Sequence, residues 1–111
     1  MSANIYFDNY NEVTTMVCDG KEYKSVGNIK IDAPFNFCNA NAREFLTNLG
    51  FDPNFEDAPS IPLEEFNRSG HKFLEDNKGQ WDYEYTAKRI KLIFNMMADA
   101  TAMGATHIRI G

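Results

Sequence analysis

The residues in this chain whose types could do chemistry are few. Two cysteines, Cys18 and Cys38, and two histidines, His71 and His107, would together make a Cys2His2 zinc set. Structural zinc sites bring their ligands in close pairs, because neighbouring residues on one turn must aim at one ion. Here all four stand singly, so neither a metal nor a cofactor is expected. A Cys–His nucleophilic pair needs its two groups within hydrogen-bond reach, which the sequence does not show. The nucleophile elbow, the phosphate loop and the glycine-rich nucleotide signature are missing from the sequence. The expectation is a protein that is not an enzyme. The thiols lie twenty residues apart and read as small buried hydrophobes in a reducing compartment rather than as a disulfide.

Two groupings remain. Asn39, Asn41 and Arg43 stand at the entrance to a helix, where free amides and the helix dipole attract anions. The competing reading is local: Asn41 caps the helix and Glu44, three residues on, completes a capping box. Trp81, Tyr83 and Tyr85 crowd the segment Gln80–Tyr85 together with Asp82 and Glu84. Large rings with a polar handle are favoured anchors for a protein partner. Against that, Trp81 and Tyr85 could close one end of a core while the acids complement a helix N-terminus.

Charge limits the partner. A net charge of −5 and a pI near 4.9 argue against direct nucleic-acid binding, which rests on lysine and arginine displacing phosphate counterions. Mimicry of nucleic acid stays as a lesser alternative. The opening MSANIYFDNYNE lacks a basic stretch followed by an apolar run, and no segment approaches the roughly 18 apolar residues of a membrane span. A cytoplasmic protein without membrane contact is expected.

At 111 residues, with 43% hydrophobic and 24% charged residues, residues 1–111 read as one compact domain. Nine Phe and five Tyr imply a core built largely from rings. The first third is strand-like. Glu12–Val17 and Lys21–Val26 flank Asp19-Gly20, the signal for a type I′ hairpin turn. Gly27 reads as a break, followed by a separate strand over Asn28–Asp32 with Ile29 and Ile31 on one face, ending at Pro34. Ile5–Phe7 reads as a short edge strand. Helical spacing then begins at Asn41, turns Phe45, Leu46 and Leu49 inward and stops at Gly50. A turn-rich connection over Phe51–Pro59 leads to a second helix capped by Ser60, with Leu63, Phe66, Phe73 and Leu74 on one face and a pause at Gly70. The longest helix runs from about Asp82 to Met103. Its polar stripe, Lys88, Lys91, Asn95 and Asp99, is narrow, so it must be central or meet a second copy of the chain. Thr106–Ile110 alternates again and reads as a strand beside Ile29 and Ile31.

The stretch Asn39–Gly50, NANAREFLTNLG, resembles the NxNAxxLLxxLG opening of a group of small uncharacterised bacterial and phage proteins. Ile61-Pro62, the helix from Tyr85 to Met103 and the strand His107–Ile110 look like counterparts of later elements of that group. The resemblance implies no activity and no site residues, and the N-terminal hairpin lies outside it.

Runs of strands followed by runs of helices give an α+β fold: an antiparallel sheet of the hairpin, the third strand and the C-terminal strand, packed against three helices. The function expected is a small acidic binding or regulatory module acting through protein contacts. A small-molecule or anion binder using Asn39, Asn41 and Arg43, or a modest enzyme there, is the alternative. A homodimer is compatible with both.

Overall fold

A computed structural model describes residues 2–31, 33, 36–53 and 60–111. Its strands are β1 (Ser2–Ala3), β2 (Ile5–Cys18), β3 (Lys21–Ile29), β4 (Phe37–Cys38), β5 (Ile61–Pro62) and β6 (His107–Ile110). Its helices are α1 (Asn39–Asn48), α2 (Leu63–Asp76) and α3 (Glu84–Ala102), the last entered through a 3-10 turn at Trp81–Tyr83. The main sheet is antiparallel, in the order β3-β2-β6-β5, while β1 and β4 form a separate two-stranded pair. This is the α+β fold expected.

Alternation decides what the sheet buries. Ile5, Phe7, Ile108 and Ile110 face the core, and Phe7 and Ile108 pair directly. The side chains with no solvent access are mainly rings: Phe7, Phe37, Phe45 and Phe66, joined by Ile90, Ile93 and Ile108. Phe66 is the hub. Its ring centroid lies 6.4 Å from Phe45, 6.1 Å from Phe51 and 6.3 Å from the edge-on ring of Phe94. The rings share the core with aliphatic side chains, chiefly the six buried isoleucines Ile5, Ile61, Ile90, Ile93, Ile108 and Ile110.

Several expectations are corrected by the backbone. Ile5–Phe7 is no edge strand; it lies between β3 and β6 in the sheet. β3 runs through Gly27 without ending, so no separate strand begins at Asn28, and Asp32 and Pro34 lie outside the described residues. β6 pairs with β2 and β5, not with the Ile29 segment. The cause is a bulge. Asn9 pairs with Gly27 but Val13 with Val26, so Tyr10, Asn11 and Glu12 are inserted into β2. A β-carbon on residue 27 would sit 2.9 Å from the Glu12 Cβ, so Gly27 is small because the bulge folds over it.

Past the bulge, β2 and β3 leave the body as a two-stranded arm. Asp19 and Gly20 both have positive φ, 53° and 76°, as the type I′ turn requires. The arm draws the molecule out to 55 Å along its long axis, against 29 and 22 Å across.

Helix boundaries shift by a few residues. α1 starts at Asn39 with Cys38 at its N-cap and no side-chain cap, so Asn41 sits in the first turn and does not cap. In α2 the N-cap is Pro62, not Ser60, because Ile61 and Pro62 first pair with Ile108 and His107. The loop expectation over residues 54–59 lies outside the described residues. Gly70 causes no pause; it is a buried point of close approach between α2 and α3. A β-carbon there would fall 2.7 Å from Phe94 Cζ and 3.2 Å from Ile90 Cγ2. Gly→Ala inside a helix ordinarily gains about 1 kcal/mol from propensity. For Gly70→Ala we expect instead a loss of about 1 kcal/mol, because overpacking outweighs the gain. Urea unfolding checks the sign, and a stabilised variant would show that the two helices separate readily.

α3 is covered as a central helix: Ile90, Ile93, Met96, Met97 and Ala100 are buried, and the stripe Lys88, Lys91, Asn95 and Asp99 faces solvent. Among the described residues no helix is long and apolar enough to cross a membrane.

Candidate functional site

The two groupings singled out by sequence meet in space. α1 and α3 pack so that Asn48 Nδ2 donates to Thr86 Oγ1 at 3.3 Å, and two turns earlier on α1 Asn41 Nδ2 donates to the Tyr85 hydroxyl at 3.4 Å. The Tyr85 ring carries the Arg89 guanidinium 4.5 Å from its centroid. Tyr85 is thus positioned from both sides, and the helix start of α1 adjoins the aromatic segment. Asn39 is half-buried and Arg43 exposed beside it.

The three rings of the segment do different things. Tyr83 lies edge-on against Phe73 at 5.4 Å and extends the core. Tyr85 is partly exposed. Trp81 lies on the 3-10 turn with 82% of its surface in water, so it does not close the core. It rims an open groove of about 550 Å³ between the end of α2 and the start of α3, with His71, Leu74, Asn77, Gln80 and Tyr83 among its walls. The His71 ring packs one side against Phe94 at 4.6 Å and is otherwise exposed.

A second constellation escaped the sequence reading. On the sheet face turned away from the helices, Asp8 is 5% exposed. Its carboxylate accepts from Arg109 Nε at 3.1 Å and from Asn28 Nδ2 at 3.2 Å, while the same guanidinium covers the Tyr6 ring at 4.5 Å. Next to it Tyr10 stacks on His107 at 3.9 Å. The Thr106 hydroxyl accepts from the Tyr10 amide at 3.0 Å, donates to the Asp8 carbonyl at 3.3 Å and lies 2.7 Å from His107 Nδ1. These bonds sit where β2 departs from β6 and clamp the root of the arm. The signal was present in the sequence: Tyr6, Asp8 and Tyr10 alternate with Ile5 and Phe7, and His107 and Arg109 with Ile108 and Ile110.

Cys18, Cys38, His71 and His107 are not brought together. Both cysteines are free and exposed, which corrects their reading as buried hydrophobes. Cys18 closes the arm, where there is no core, and Cys38 follows the inward Phe37 and so points out. Among the described residues no three His, Cys, Asp or Glu side chains converge as metal ligands would.

Comparison of the chain with protein-family models, with curated proteins and with solved structures finds no match.

Proposed function

We propose that the chain is a non-catalytic binding module that holds a segment of another protein across the groove beside Trp81. The observation that carries this reading is the tryptophan itself. A ring left 82% in water on a 3-10 turn, at the edge of a groove and within a few residues of a positioned tyrosine, is the arrangement of an interface anchor. The partner expected is one that inserts an apolar side chain next to Trp81 and covers Tyr85.

Trp81→Ala removes almost no buried surface, and we expect it to change folding stability by no more than about 0.5 kcal/mol. The double variant Trp81→Ala/Tyr85→Ala should lose a protein captured from nuclease-treated lysate while still melting in one cooperative transition, somewhat below the parent because Asn41 and Arg89 lose the Tyr85 ring. Capture that is unaffected by the double variant would sink the proposal. A bound small anion that Arg43→Ala releases without loss of stability would favour the helix start of α1 instead.

A further inference from the structure

We propose that the arm is a dimerisation device: the free edge of β2 over residues 13–17 pairs antiparallel with the same edge of a second copy, making one four-stranded ribbon. This surface is separate from the Trp81 groove and does not depend on it.

The arm alone is an incomplete structure. A two-stranded ribbon is marginal in water without a third strand or a covering layer, yet here Val13, Met16, Val17 and Tyr23 are 51%, 57%, 70% and 52% exposed. β6 pairs with β2 only over Ile5–Asp8, so among the described residues nothing continues the sheet beyond the bulge on that side.

The ladder identifies which groups are open. A two-residue I′ turn makes its flanking pair, Cys18 and Lys21, a hydrogen-bonded pair. Counting back, Met16 and Thr14 also bond toward β3. The amides and carbonyls of Val13, Thr15 and Val17 therefore point away from it. On β3 the outward positions are Glu22, Lys24 and Val26.

The two edges differ in chemistry. The β3 edge carries Lys21, Glu22 and Lys24, the kind of charge that blocks strand addition. Val13–Cys18 on β2, VTTMVC, has no charge, no Pro and no Gly, and is mostly β-branched. One edge is protected and the other is open.

The open edge fits itself. A two-fold antiparallel pairing has its axis perpendicular to the ribbon, so odd residues must face odd ones. With the axis at Thr15, Thr15 faces its own copy, Val13 faces Val17 and Val17 faces Val13, and no like charges meet. Moving the axis to Thr14 sets Glu12 against Met16, and moving it to Met16 sets Val13 against Asp19. The Thr15 register is the complementary one. It brings the partner's turn opposite Asn11, short of the start of β6, so the two bodies lie at opposite ends of the ribbon.

Sedimentation across a concentration series tests this with three proteins. Thr15→Pro deletes an outward amide and leaves the β2–β3 ladder intact, and Lys24→Pro does the same on the protected edge. The parent and Lys24→Pro should dimerise alike, and Thr15→Pro should associate at least about tenfold more weakly. Thr15→Lys, which sets two ammonium groups face to face, should match Thr15→Pro should the proline unfold the arm. A parent that stays monomeric, or a dimer indifferent to both Thr15 variants, overturns the proposal. The register has its own test in a Cys38→Ser background. Thr15→Cys sets two thiols opposite each other across the axis, at a hydrogen-bonded position where Cα atoms approach to about 5.5 Å, within disulfide range. Oxidation should give a covalent dimer that Cys38→Ser alone does not form, and its absence from a dimeric sample overturns the Thr15 axis.

Discussion

Phe66→Ala is expected to lower folding stability by about 3–5 kcal/mol. The ring has no solvent access and meets Phe45, Phe51 and Phe94, so its removal opens a cavity bounded by three other rings on α1, the following connection and α3. Rings are stiff and cannot collapse into that space as a methionine would. Since a domain of this size has only about 5–15 kcal/mol in hand, the variant should lie close to unfolding at physiological temperature. Denaturant unfolding with an unchanged slope and a much lower midpoint is the expected readout. A loss below about 1 kcal/mol would mean that the helices re-pack around the gap and that Phe66 is not the hub.

Arg109→Ala should be the most damaging change on the opposite sheet face, at about 2–3 kcal/mol, because it leaves the Asp8 carboxylate buried with Asn28 as its remaining side-chain donor. Asp8→Ala should cost less. The Arg109 side chain is 33% exposed against 8% for Asp8, so the cation it leaves behind can turn to water. The double-mutant cycle should give a coupling of about 1 kcal/mol, the range for charge-assisted bonds near a surface. Equal single losses with no coupling would show that the two residues act only as packing for Tyr6.

Local chemistry made much of the fold legible. Asp19-Gly20 fixes a hairpin turn by itself, the alternation of Thr106–Ile110 reads as a strand, and the apolar spacing from Ile90 to Ala100 reads as a helix. What failed was decided by contacts distant in sequence. Gly27 looks like a breaker until Glu12 is known to fold over it, and Gly70 looks like a kink until Phe94 is known to lie across it. The capping box at Asn41 fails for a similar reason. Cys38 pairs with Ser2, which delivers the chain into α1 three residues earlier and frees Asn41 to reach Tyr85.

The site was partly legible. Composition marks Trp81–Tyr85 as unusual, but only packing separates Tyr83, which joins the core, from Trp81, which does not. The clamp at Asp8 was hidden because its members come from opposite ends of the sequence and each looks like an ordinary solvated residue within its own strand. The arm was hidden because the β-branched residues over Glu12–Val17 mark a strand and nothing local shows that the body ends before its faces are covered.

The central sheet also sets an order on synthesis. Ile5–Asp8 find their partners in His107–Ile110, and the Asp8–Arg109 bond spans 101 positions of sequence. The arm needs only residues that leave the ribosome within moments of each other. A growing chain can therefore close its arm early but cannot close its body until residue 110 has emerged. Chains arrested upstream of residue 107 should show no amide protection at Ile5 or Phe7.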